Sequence, residues 1–151
     1  MNDDIQIIPL SDEYCESAVM MWRESKEKAL GIKDKHSFTE HKKFLDNILR
    51  KNYEVFIAIE KNEVAGLIAF NETEVNQLYI HNNYQNRGIG KTLLDIAKSY
   101  SKEKLTLFTF EINKKAQRFY ERNGFTIIAR GNVNEENLDD IKYEWRKPCQ
   151  R

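Results

Sequence analysis

The sequence predicts an α+β fold: a mixed, mostly antiparallel sheet with one parallel strand pair at its centre and helices on both faces. Three observations predict it. Stretches with helical period come first and give way to short β-rich runs. A strand, a long amphipathic helix and a second strand form one crossover unit in the middle, and a hairpin lies on either side of that unit. The order helices, hairpin, strand-helix-strand, helix, hairpin fits a mixed sheet and not a doubly wound one.

Each element has its own local cause. After a short apolar opening at residues 5–10, Ser11 is placed to cap a helix in which Cys15, Ala18, Val19 and Trp22 form one buried stripe. Gly31 breaks that helix. A second begins after Ser37, with Phe44, Leu45, Ile48 and Leu49 expected on its inner face. Residues 55–59 and 64–70 are β-rich and flank the polar turn 60–63, which reads as an antiparallel hairpin. A third strand follows at 75–80. From Ile89, the residues Leu93, Ile96, Ala97 and Tyr100 mark the inner face of a long helix. The strand at 105–110 can then return parallel to the third, because a helix of this length is the usual link between parallel neighbours. A shorter helix at 114–123 carries Ala116, Phe119 and Tyr120 on one face, with Gly124 placed to close it in the left-handed conformation. Strands at 125–129 and 141–145, joined by the polar loop 131–140, complete the sheet.

Composition excludes several classes of function. The 151 residues are 40% hydrophobic and 11% aromatic, and no Pro/Gly/Ser linker or repeat interrupts them, so residues 1–151 read as a single domain. Lys plus Arg and Asp plus Glu are 24 each, giving zero net charge and no global field for nucleic acid or an anionic membrane. Mean hydropathy is -0.70, and no run approaches the ~20 apolar residues a membrane span needs. The opening Met1-Asn-Asp-Asp is acidic where a secretion leader is basic, so the cytoplasm is the expected location. Cys15 and Cys149 lie far apart and without Cys or His partners at metal spacing, so neither a disulfide framework nor a metal site is expected.

The most informative stretch is residues 78–92, which joins a strand to a helix start through Gly88 and Gly90. Backbone N–H groups at such a turn, with a helix dipole behind them, make a cradle for a phosphate or pyrophosphate, and Arg87 and Lys91 add positive charge beside it. Glycine spacing separates the possible motifs. A Walker-type loop ending in Gly90-Lys91-Thr92 needs a glycine at 85, which is Gln85. A dinucleotide fingerprint needs one at 93, which is Leu93.

Gln85-x-x-Gly88-x-Gly90 resembles the pyrophosphate-binding turn of the GNAT N-acetyltransferase superfamily, Arg/Gln-x-x-Gly-x-Gly/Ala. A second segment resembles that family at every motif position: Asn113-x-x-Ala116-x-x-Phe119-Tyr120-x-x-x-Gly124-Phe125. The resemblance implies a GNAT-like sheet whose parallel pair, residues 75–80 and 105–110, splays apart at its C-terminal ends. It further implies acetyl-coenzyme A as the acetyl donor. The pantetheine arm would pair with backbone near Leu78, Tyr79 and Ile80, and Gln85, Asn86, Arg87, Gly88, Ile89, Gly90 and Lys91 would hold the pyrophosphate. Asn113 would steady the arm, or cap a helix, or both. Tyr120 would protonate the departing thiolate, and an N–H near Ile80 would stabilise the oxyanion.

Less follows for the acceptor. Glu74 and Glu111, with Glu72, are candidate bases because strand ends border the family's acceptor cleft; His36, His41 and His81 titrate in a useful range but show no partner in the sequence. The loop 131–140 carries Glu135, Glu136, Asp139 and Asp140, an acidic rim that suits a cationic amine. Trp22 and Tyr14 can line an aromatic pocket or belong to the core stripe. The expected activity is direct transfer of acetyl from acetyl-coenzyme A to a primary amine of a small molecule or peptide, by a monomer or homodimer without metal. A coenzyme A sensor without turnover, and a nucleotide-binding protein clamping phosphate at Gly90-Lys91-Thr92, are the alternatives.

Overall fold

The computed structural model describes residues 4–149. The expectation that no leader is present rests on residues 1–4, of which 1–3 lie outside the described part. The apolar opening is an edge strand, β1 (Gln6–Pro9), paired antiparallel to β2 (Glu54–Glu60). β2 forms the expected hairpin with β3 (Glu63–Phe70), and Lys61 and Asn62 take the left-handed conformations that a tight turn requires. β4 (Val75–Ile80) completes a four-stranded sheet in the order β1-β2-β3-β4. β5 (Lys104–Phe110), β6 (Thr126–Gly131) and β7 (Asp140–Arg146) form a second sheet in the order β5-β7-β6.

Helix α1 (Cys15–Leu30) starts differently from expectation. Ser11 makes no capping hydrogen bond, its hydroxyl is buried without a partner, and a 3-10 turn (Asp12–Tyr14) leads into the helix. Gly31 ends it at φ 71°. Helix α2 (Phe38–Phe44) opens with a full capping box between Ser37 and Glu40, worth about 1 kcal/mol, then passes through a π turn (Leu45–Leu49) into the single turn α3 (Arg50–Asn52). That wider turn corrects the expected inner face: Leu45 and Leu49 are wholly buried, while Phe44 and Ile48 turn outward. A longer turn brings residues four apart into line and swings their neighbours away.

α1 and α2 cover one face of the first sheet, where Ala18, Val19, Trp22, Leu45 and Leu49 meet Ile57 and Leu67. The indole of Trp22 lies edge-on to His41 at 4.7 Å, and Tyr14 packs at the rim of this cluster, so both belong to the core stripe. α4 (Ile89–Tyr100) covers the other face and joins α5 (Lys114–Arg122) in a cluster that spans both sheets, from Ile68 and Phe70 to Leu105, Phe125 and Tyr143. The inner face of α4 is rotated from expectation. Leu93, Leu94 and Ala97 are wholly buried, whereas Tyr100 is largely exposed with its ring against Phe70 at 5.0 Å. Each fully buried leucine contributes roughly 1.5–3 kcal/mol, so these two clusters fix which helix lies on which face.

Candidate active site

The two sheets meet at one point. Glu74 and Thr106 form a single parallel bridge, and the Thr106 N–H donates to the Thr73 carbonyl at 2.9 Å; among the described residues no further ladder joins β4 to β5. Beyond the bridge the strands diverge, leaving a wedge open at their C-terminal ends. The His81 N–H donates to the Ala65 carbonyl on β3 at 2.8 Å. Antiparallel strands alternate the direction of their polar groups, so the N–H groups of Leu78 and Ile80 turn away from β3 into the wedge, while that of Tyr79 turns back to Leu67. Of the three positions expected to pair with the pantetheine arm, Leu78 and Ile80 turn their N–H groups away from β3 and Tyr79 turns its own toward it. The Ile80 carbonyl accepts from the Gln85 side chain at 3.1 Å, which ties the turn after β4 to the strand.

That turn is left-handed at Asn86, φ 64°, and at Gly88, φ 81°. The first hydrogen bond of α4 runs from the Thr92 N–H to the Gly88 carbonyl at 3.1 Å, so the N–H groups of Ile89, Gly90 and Lys91 have no helical acceptor. The Ile89 side chain is buried, leaving its main chain as the part that can meet a ligand. A Cβ at Gly88 would stand in open space, but one at Gly90 would come within 3.2 Å of the Phe119 ring. Gly90 is therefore needed for packing α4 against α5, a different reason from the expected ligand approach. The expected flanking charge is also partly spent. Arg87 pairs with Glu60 at 2.7 Å and lies over the Tyr84 ring, and Lys91 pairs with Asp95 at 2.7 Å. Anion recognition at this turn falls mainly to the main chain.

α5 borders the same wedge. Asn113 caps it by accepting from the Ala116 N–H at 3.2 Å, and the carboxamide N–H2 keeps no protein partner among the described residues. Tyr120 is 6% exposed, and its ring lies 5.3 Å from Phe119, 5.6 Å from Phe125 and 6.0 Å from Tyr143. Its hydroxyl has no protein hydrogen-bond partner among the described residues. Burial pushes the phenol well above its ordinary range, with nearby Tyr79 adding to the shift, so it stays protonated at neutral pH and can donate. Burial likewise pushes Tyr79 up to about 12.

The expected bases fall elsewhere. Glu74 sits at the closed end of the wedge, accepting from the Tyr53 hydroxyl at 2.6 Å. Glu111 follows β5 but faces Arg130 at 3.5 Å, and Glu72 faces Lys102 at 3.7 Å. All three histidines have partners on both ring nitrogens. His81 lies between Glu24 and the Asn83 N–H, His41 between the Ser37 carbonyl and Asp34, and His36 between Glu40 and Glu135. Three of the four rim carboxylates are engaged within the protein. Glu136 holds Lys26 at 2.9 Å, Glu135 holds His36 at 2.7 Å, and Asp140 accepts from Asn134 at 3.0 Å.

Sequence reasoning missed the α1 side of the wedge. Lys26 lies between Glu136 and Asp34, at 2.9 and 3.2 Å, and this buried group is the electrostatic neighbour of Tyr79, which in turn neighbours Tyr120. Burial would lower the Lys26 ammonium, but the Glu136 hydrogen bond and the Asp34 and Glu136 carboxylates outweigh it and raise it above its ordinary value. No local pattern marks this group, because Lys26 and Glu136 are 110 positions apart in the chain. The wedge thus offers backbone donors along one wall, bare helix N–H groups at one end and a protonated phenol beside them. It suits an extended, amide-bearing chain that ends in a diphosphate.

The family model described as the acetyltransferase (GNAT) domain matches residues 16–147. The acetyltransferase PseH of Campylobacter jejuni is 27% identical over 118 residues, covering 72% of this chain and 75% of that protein. Among solved structures, a GNAT-family acetyltransferase from Staphylococcus aureus Mu50 superposes with a TM-score of 0.76 at 24% identity, covering 94% of this chain and 98% of that one. The PaiA N-acetyltransferase of Thermoplasma acidophilum, solved with coenzyme A, gives a TM-score of 0.74 at 24% identity over 97% of this chain and 100% of its own. The match spans the glycine turn and the α5 segment, and the chain belongs to the GNAT family of acetyltransferases.

Proposed function

We propose that this acetyl-coenzyme A-dependent acetyltransferase moves acetyl to a primary amine of a small molecule or peptide by direct attack within a ternary complex, acting in the cytoplasm as one unit over residues 1–151. The observation that carries the reading is the protonated, unpartnered Tyr120 phenol at the same wedge as the bare N–H groups of Ile89, Gly90 and Lys91. The PaiA relative with coenzyme A bound supports placing the donor in that wedge.

In this reading, main-chain N–H groups of residues 86–91 hold the pyrophosphate, and Leu78 and Ile80 pair with the pantetheine amides as an added strand would. The Asn113 carboxamide supplies a further donor to that arm. Amine attack on the thioester carbonyl develops an oxyanion, which the Ile80 N–H is oriented to stabilise. Collapse breaks the carbon–sulfur bond, and Tyr120 donates its proton to the departing thiolate. The amine proton leaves through water. Coenzyme A titration by calorimetry, with thiol release measured across a panel of amines, tests the reading. Tight donor binding with no turnover on any amine would replace it with a sensor, and tighter binding of ATP-magnesium than of coenzyme A would overturn it.

A further inference from the structure

We infer that the loop joining α1 to α2 and the loop joining β6 to β7 form a charge-latched lid over the acceptor side of the wedge, with Lys26 and Glu136 as its fixed clasp and His36 and Glu135 as its releasable one. The β6–β7 loop belongs to the second sheet and holds its own shape. The Asn134 side chain donates to the Leu138 carbonyl at 2.7 Å and to Asp140 at 3.0 Å, and its oxygen accepts from the Leu138 N–H at 3.2 Å. Its bonds to the first half of the molecule are of another kind. They are Lys26 to Glu136, His36 to Glu135, and Lys35 to the Glu135 carbonyl, each with a charged or titratable partner on the α1 side.

These contacts cross the open mouth of the wedge. At one lip, Phe110 at the end of β5 pairs with Asp140, and the Glu111 N–H donates to the Asp139 carbonyl, so the loop sits at the end of β5. At the other lip, Glu24 of α1 meets His81 just beyond the end of β4, which brings the Lys26 turn of α1 to the same mouth. The lid therefore joins the two sheets at the end opposite their parallel bridge, and opening it widens the mouth without breaking a strand ladder.

The two clasps differ in strength. Lys26, Asp34 and Glu136 are mostly buried and paired at 2.9 and 3.2 Å, so that clasp resists both solvent and salt. His36, Glu40 and Glu135 are exposed. Facing His36 are Glu135 from the β6–β7 loop, Glu40 from α2, Asp34 accepting its backbone N–H at 2.9 Å, and the His41 ring at 6.1 Å. Arg23 of α1 and Lys35 bond to the carbonyls of His36 and Glu135. Hydrogen bonds to Glu135 and Glu40 raise the imidazole above its ordinary value. A group raised in the folded state holds its charge at low pH and loses it as pH climbs through the raised value, so this clasp is closed in mild acid and released as pH rises past that value.

That the lid covers an acceptor rests on the acetyltransferase reading; the latch itself does not. The test is hydrogen exchange of the backbone at residues 132–139 in the full chain, as protection factors corrected for intrinsic rate, at pH 6 and pH 8. Protection in the wild type should fall three-fold or more between the two. Glu135→Gln should abolish that difference, and Glu136→Gln should lower protection at both pH values, with coenzyme A affinity within two-fold throughout. His36→Asn provides a second route to the pH-independent state. Protection indifferent to pH and to all three substitutions would overturn the latch. Failure of the wild type to bind coenzyme A would instead remove the acetyltransferase reading while leaving the exchange result to stand.

Discussion

Tyr120 owes its chemistry to what surrounds it. Three aromatic rings enclose the phenol, burial holds the proton on, and no acceptor among the described residues draws it away. A proton so held stays on the oxygen as a hydrogen-bond donor, available to the departing sulfur as negative charge builds there. Tyr120→Phe should therefore cut turnover by roughly 10²- to 10⁴-fold while leaving coenzyme A affinity nearly unchanged, measured by thiol release beside calorimetry. Unchanged turnover would remove Tyr120 from the mechanism. Tyr79, Tyr120 and Tyr143 all titrate above their ordinary value through burial, Tyr143 also by donating to Glu121 at 2.7 Å. Above about pH 10 the unfolded chain releases these protons while the folded chain keeps them. Stability should then fall as pH climbs past 10; urea unfolding at pH 9 and pH 10.5 checks the sign.

The turn before α4 depends on backbone shape more than on side chains. Gly88 has a φ that a β-branched residue resists at a cost of roughly 1–2 kcal/mol, and its missing side chain leaves open space before the bare N–H groups. Gly88→Val should abolish coenzyme A binding with only a modest loss of stability. Gly90→Val should lower the melting temperature as well, because its methyl groups meet Phe119. Comparing the two by calorimetry and thermal unfolding separates the ligand role from the packing role. Away from the site, Ser37→Ala breaks the capping box of α2 and should cost about 1 kcal/mol in urea unfolding. Motif spacing made both the turn and α5 legible, since glycine positions and a helix stripe are local properties. The outward swing of Phe44 and Ile48 was not, because a π turn leaves no mark in apolar periodicity.

At the scale of the molecule, the hairpins and the crossover followed from period and order along the chain, and the placement of helices on both faces from the family resemblance. The pairing of Lys26 with Glu136 did not, since those residues are 110 positions apart and only tertiary structure brings them together. The same holds for the partners of the three histidines. Between the two sheets a single parallel bridge leaves much of the β4 edge unsatisfied by protein. A ligand that supplies the missing hydrogen bonds binds the folded state alone, and at a hundred times its dissociation constant adds about 2.7 kcal/mol. Saturating coenzyme A should raise the melting temperature by roughly 5–10 °C in thermal unfolding, and an equal response to ATP-magnesium would contradict the assignment of the wedge.

The strand order of the second sheet bears on how the protein is made. β5 and β6 emerge from the ribosome before β7, yet each has β7 as its neighbour in that sheet. Until residues 140–146 are synthesised, both strands wait with an open edge, while the first sheet already has all four of its strands. A nascent chain arrested before that point should therefore present a folded N-terminal half and an unassembled second wall, and the crevice between them would come into being only with the last strand.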